Sequence, residues 1–195
     1  MFDEFWFNVN YGINHVLDIN AYDHVLFLTV LTVPYLFKDW RRVLFLVTTF
    51  TLGHTLSLVL AAFNVIKVNI SWVEFLIPVT ILAVAVFNVF TAGKPPQKSK
   101  IGVLFFSTLF FGLVHGLGFA REFQLMVGAS ESKWKVLLEF ALGIEISQVI
   151  IVFVVLFVSY IMQTIFRFSR RDWMLVISSV VIGMALPMVM DRIPW

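Results

Sequence analysis

Residues 134–161 read WKVLLEFALGIEISQVIIVFVVLFVSYI. After Lys135 the run holds two carboxylates, Glu139 and Glu145, and no Lys or Arg. It exceeds the roughly 20 apolar residues needed to cross about 30 Å of hydrocarbon. A helix this apolar on every side belongs in lipid rather than on the flank of a soluble core.

The rest of the chain has the same character. Its 195 residues are 60% hydrophobic and 13% charged, and the mean hydropathy is +0.93, far from soluble usage. Six apolar runs stand out, at about 20–37, 41–63, 70–92, 101–120, 134–161 and 172–190. They are too long and unbroken for barrel strands, and in lipid only helices or closed barrels satisfy every backbone group. The expected architecture is therefore an all-α integral membrane protein, a bundle of six transmembrane helices forming a single domain over 1–195. A short interfacial or re-entrant helix at 2–18 should precede it, with Phe5, Trp6, Val9, Ile13 and Val16 on one face. Pro95 and Pro96 mark the clearest loop. Trp40, Trp72, Trp134, Trp173 and Trp195 at the span ends read as interfacial anchors.

The net charge is +2 and there is no cysteine. Scattered basic residues leave no electrostatic footprint for nucleic acid. Thiolate ligands and nucleophiles are excluded, so any metal must use nitrogen and oxygen. The N-terminus, MFDEFWFNVNYG, has no basic n-region, and no signal peptide is expected. Lys38, Arg41, Arg42, Lys94, Lys98, Lys100, Arg167, Arg170 and Arg171 fall on one face, against Lys67, Arg121, Lys133, Lys135 and Arg192 on the other. The richer face should be cytoplasmic, which puts both termini outside.

At 1.5 Å of rise per residue from the outer ends, His24, His115, His54 and Glu145 fall at depths of roughly 6, 8, 14 and 15 Å, with His15 just above. The chain has four histidines, and all of them sit in or beside one layer. Each has a plainer reading. Asp23 would cap the first span together with Asn20; His54 shares a polar stripe with Thr51 and Ser57; His115 lies between Gly112 and Gly116, a close-packing pattern. Glu145 is harder to explain by packing. A carboxylate near a span centre costs about 2.5–3.5 kcal/mol on insertion scales, and only Gln148 shares its face. Glu139 has Lys135 one turn away and reads as structural. Together, imidazoles with one or two carboxylates suit a borderline divalent cation such as Ni²⁺, Zn²⁺, Co²⁺ or Cu²⁺. The candidate metal residues are His15, Asp23, His24, His54, His115 and Glu145, supported by Thr51, Ser57 and Gln148.

The motifs INHVLDINAYDHVLFLTVL, TTFTLGHTLSL, FFGLVHGLGFA and FALGIEISQ together resemble the HupE/UreJ family of small membrane proteins, in the branch whose first motif continues DHxLFL. Ala21, Ala141 and Ser147 stand where the family's motifs usually have Gly, Asn and Gly. The resemblance covers nearly the whole chain. It implies a metal permease or an accessory to hydrogenase or urease, in a bacterial inner membrane, with nickel or a related metal as ligand and the same polar residues as its site.

Two functions compete at this level. A permease would take a metal ion from the outer face; its inner path would be lined by few polar groups, mainly Thr48, Thr49, Ser107 and Thr108, and no segmented half-helices are visible unless the N-terminal segment is one. An intramembrane zinc hydrolase or acyl transferase would use three histidines as ligands and Asp23 or Glu145 as general base, on a lipid or lipid-linked substrate. A third reading is a structural or accessory protein whose histidine layer is hydrogen-bonded packing, or a metal sensor or metal donor to a partner; the partner would be a metalloenzyme-maturation protein or a second copy of the chain.

Overall fold

The computed structural model describes residues 2–94, 101–128 and 132–195; the expected loop at Pro95 and Pro96, with Lys98 and Lys100, lies outside these. Among the described residues every regular element is helical. The order is α1 (Phe2–Leu17), α2 (Asp23–Thr32), a 3-10 turn (Phe37–Asp39), α3 (Trp40–Ala62), α4 (Ile70–Thr91), α5 (Ile101–Gly118), α6 (Ala120–Val127), α7 (Lys133–Thr164) and α8 (Arg170–Asp191).

Among the described residues four helices are long and apolar enough to cross a membrane: α3 with its leading turn, α4, α7 and α8. Helices α5 and α6 add a fifth if taken as one span bent by 60°. The expected count of six is not reproduced, because the run at 20–37 does not form one long helix. Its helical part, α2, has ten residues, roughly 15 Å. Proline explains the early stop. Pro34 has no N–H to offer the carbonyl of Val30, four residues back, and that carbonyl accepts from Asn88 Nδ2 of α4 instead, at 2.7 Å. The carbonyl of Pro34 in turn accepts from the Arg170 guanidinium. Tertiary donors thus replace the helix's own bonds where it ends.

Helix α1 does not lie apart from the bundle. It runs parallel to the first half of α7: Lys135 Nζ donates to Glu4 Oε2 at 2.7 Å, and Asn8 Nδ2 to Glu139 Oε2 at 2.7 Å. Gly12 then meets the backbone of Phe140, Gly143 and Ile144. Glu139 therefore bridges two helices as well as facing Lys135, 3.9 Å away. Helices α3 and α5 also run parallel, crossing where Gly53 meets Leu109 and Leu113 and Gly112 meets Phe50 and His54. Opposite ends meet in two other pairs. Lys133 at the start of α7 donates to the Ala62 carbonyl at the end of α3 at 3.0 Å, and Trp72 at the start of α4 lies tilted against Trp195 beyond α8, with ring centroids 5.8 Å apart.

The outside of the bundle is apolar, with Phe87, Phe90, Phe106 and Phe153 exposed, as a lipid-facing surface requires. Of the expected interfacial tryptophans, Trp173 is buried instead, against Val33 and Met174.

At both crossings an added methyl would strike a neighbouring backbone, which cannot yield as a side chain can. Gly53→Ala and Gly143→Ala should each lower stability by about 1–3 kcal/mol, the cost of overpacking. Gly102→Ala and Gly183→Ala, whose added carbon meets nothing within 4 Å, should be neutral or stabilising by up to about 1 kcal/mol. Thermal unfolding of the four variants in one detergent checks the contrast.

Candidate metal centre

Four separate elements deliver the four histidines to one place. His15 comes from the last turn of α1, His24 from the first turn of α2, His54 from the middle of α3 and His115 from the end of α5. The ring centroids of His15 and His24 are 4.7 Å apart, of His15 and His54 5.6 Å, of His24 and His54 5.8 Å, and of His24 and His115 5.4 Å. His15, His24 and His54 offer ligand nitrogens that all lie within 4.8 Å of one another. On one tetrahedral ion with bonds of about 2.0–2.1 Å, such nitrogens stand about 3.4 Å apart. Small side-chain rotations close that difference.

Phe119 lies on the His15 ring at 4.0 Å, while Phe27 and Phe50 each lie 5.1 Å from the His115 ring. His24, His54 and His115 are buried and His15 is half-buried. Within this apolar shell His15 Nε2, His24 Nε2, both nitrogens of His54 and His115 Nδ1 have no hydrogen-bond partner among the described residues. Buried polar atoms rarely remain unpaired, and each one costs about 1–3 kcal/mol. So many converging nitrogens form a donor set that fits a cation.

Neighbours set which nitrogen is free. His24 Nδ1 lies 3.1 Å from Asp23 Oδ1, which accepts from the His24 backbone N–H at 2.8 Å; the negative charge beside Nδ1 favours the proton there and leaves the Nε2 lone pair for a metal. The other carboxylate oxygen faces Arg192 Nη1 at 3.8 Å. Asp23 thus orients a ligand and is held by an arginine. The expected capping partnership with Asn20 is overturned: α2 has no side-chain cap, and Asn20 donates its backbone N–H to Asp18 at 2.9 Å. At His115 the Thr80 hydroxyl donates to the Ile77 carbonyl at 2.6 Å, which makes His115 Nε2 the donor in its 3.3 Å contact with Thr80. Nδ1 of His115 is the ligand-competent atom.

Glu145 belongs elsewhere. Its Oε1 accepts from Thr48 at 2.6 Å and its Oε2 from Thr51, while Thr51 Oγ1 also contacts Gln148 Oε1 at 2.9 Å. This second polar cluster joins α3 to α7, while the ligand atoms that lie mutually close are those of His15, His24 and His54. Ser57 donates to the His54 carbonyl at 2.7 Å and sits against Gly116, which makes it part of the α3–α5 crossing. Thr80 and Arg192 were missed in the sequence, since nothing local sets either apart. A cleft of about 370 Å³ lined by Tyr11, Asn14, His15, Leu17, Asp18 and Phe119 reaches the centre from the α1 side.

Fold and site together define an all-helical protein with several membrane-crossing candidates and a cysteine-free histidine centre at its core. The sequence profile of the HupE / UreJ protein family matches residues 1–191, and the chain belongs to that family. The family is associated with nickel and cobalt transport or accessory functions. No curated protein and no solved structure matches the chain.

If the two polar clusters are separate, Glu145→Gln should bind as much metal per chain as the unmodified protein while unfolding at a lower temperature. Plasma mass spectrometry and a thermal melt on the same preparation read both quantities.

Proposed function

We propose that the protein is a permease for a divalent transition-metal ion of the nickel, cobalt, zinc and copper class. The ion is cargo, held between His15, His24 and His54 with His115 beside them. The observation that carries this reading is the convergence of unpartnered, buried imidazole nitrogens from separate helices. An all-nitrogen, thiol-free set selects borderline cations over Mg²⁺ or Ca²⁺, which need oxygen ligands. The zinc hydrolase reading has less support, because it needs a free carboxylate beside the metal. Asp23 is engaged by His24 and Arg192, and Glu145 by Thr48 and Thr51.

The setting is the inner membrane of a bacterium, crossed six times with both termini outside. In this reading α1 and α2 together make the first crossing and α5 with α6 the fourth. Each is a discontinuous span, the device that transporters use to bring helix ends and irregular backbone to a site in the membrane.

His54→Ala should abolish stoichiometric nickel or zinc binding while leaving the helical content unchanged. Asp23→Asn, which removes the charge beside His24 and opposite Arg192, should weaken binding by about 10–100-fold. Titration of the purified protein with each metal measures both effects. Nickel uptake into proteoliposomes, lost with His54→Ala, tests transport itself. Full metal binding by the His54→Ala variant would remove this centre from the account.

A further inference from the structure

The two halves of the chain, 2–91 and 101–191, repeat one another in inverted orientation. One constant shift in numbering carries α1 onto α5 and α4 onto α8, and a slightly smaller one carries α3 onto α7. The match extends to individual backbone atoms. A carbon added at Gly12 would meet Phe140 O and Ile144 N, and one added at Gly112 would meet the equivalent atoms, Phe50 O and His54 N. Gly143 faces Val9 O and Ile13 N, and Gly53 faces their equivalents, Leu109 O and Leu113 N. Burial follows the same shift: Val73, Pro78, Ile81, Ala85 and Asn88 of α4 are buried, as are Trp173, Ser178, Val181, Ala185 and Met188 of α8. The sequence keeps traces, in Phe50, Leu52, Gly53 and Ser57 against Phe140, Leu142, Gly143 and Ser147, and in Gly12 and His15 against Gly112 and His115.

Equivalent helices run in opposite directions. Helix α3 is antiparallel to α7 and α4 to α8, as the Ala62–Lys133 and Trp72–Trp195 contacts require. Only a two-fold axis perpendicular to the helices relates such halves. In a bilayer that axis lies in the membrane plane, which is the inverted-repeat arrangement.

The halves are not in the same conformation. His15 is open to the cleft beside Asn14 and Leu17. Its equivalent, His115, is 2% exposed, and Val114, the equivalent of Asn14, is 6% exposed. One side of the histidine centre is open and the symmetry-related side is closed.

We propose that the two repeats exchange these conformations, so that the centre opens alternately past His15 to one face of the membrane and past His115 to the other. His115 is then the histidine through which the ion leaves. The exchange closes the α1 cleft as α5 and α6 part beside Val114 and Leu117, and it supplies the inner path that the static distribution of polar residues lacks. This rests on the carrier reading for its cargo, and on the repeat alone for its motion.

The chain has no cysteine of its own, so single cysteines can be read without background. Asn14→Cys and Val114→Cys, each in the full chain, are treated with a membrane-impermeant maleimide in right-side-out and in inverted vesicles. Asn14→Cys should react from one face only. Val114→Cys should react only from the opposite face, at roughly 0.1–10% of the Asn14→Cys rate, the range expected of a minor conformer. Leu117→Cys, the equivalent of the cleft residue Leu17, serves the same purpose should Val114→Cys fail to fold. Reaction from the same face as Asn14→Cys, or none at the second position from either face, overturns the proposal. Nickel binding measured on the same vesicles separates the two ideas. Opposite-face reactivity without nickel binding would sink the carrier reading and keep the exchange; nickel binding with a silent second position would do the reverse.

Discussion

Backbone meeting backbone at glycine is the contact on which this structure depends. Lipid supplies no hydrophobic force between helices, so close packing has to hold them together, and small residues permit the closest approach. Gly12 against Gly143, and Gly53 against Gly112, bring α1 onto α7 and α5 onto α3. His54 adjoins Gly53, while His15 and His115 each lie one turn beyond a crossing glycine. The contact that holds a helix pair is also the one that sets a histidine at the centre. A side chain in place of any of these glycines would push the helices apart and carry the ligands with them.

Two polar systems of different chemistry meet α3 in the interior. Aromatic rings pack around the histidines, and the Asp23–Arg192 pair stands beside them. Neutral imidazoles tolerate such a site, and their unpaired nitrogens are satisfied when a cation arrives. The Glu145 system is made of oxygen, with two threonine hydroxyls holding one carboxylate and the Gln148 amide oxygen against one of those hydroxyls. Its bonds run between α3 and α7, equivalent helices of the two repeats. That places it on the interface any exchange of conformations must accommodate.

Broken helices connect packing to function. Residues 18–22 separate α1 from α2 and the chain turns sharply at Phe119 between α5 and α6, so the first element pair of each half is interrupted beside the histidines. At the start of α2 the backbone N–H groups are free of intrahelical partners, and His24 stands there. The carbonyls left at its other end are taken by Asn88 and Arg170. Continuous helices through the same volume would have left no irregular backbone there and no gap for the cleft.

The sequence by itself determined the lipid-facing character, the helical class, the positions of four long helices within a few residues, the family and the identity of the histidines. Each follows from local composition, periodicity or motif spacing. It misjudged the first crossing, because an apolar run records hydrophobicity and not where a proline forces carbonyls to find other donors. It left the threonine partners of Glu145 unread, because depth along a helix says nothing about which way a side chain points around it. The partnerships of Asp23 with Arg192 and of His115 with Thr80 join residues far apart in the chain. The inverted repeat left only a faint trace in sequence, since its two halves preserve burial and glycine contacts far better than residue identity. Those features depend on how helices rotate and cross against one another, and only tertiary packing fixes that.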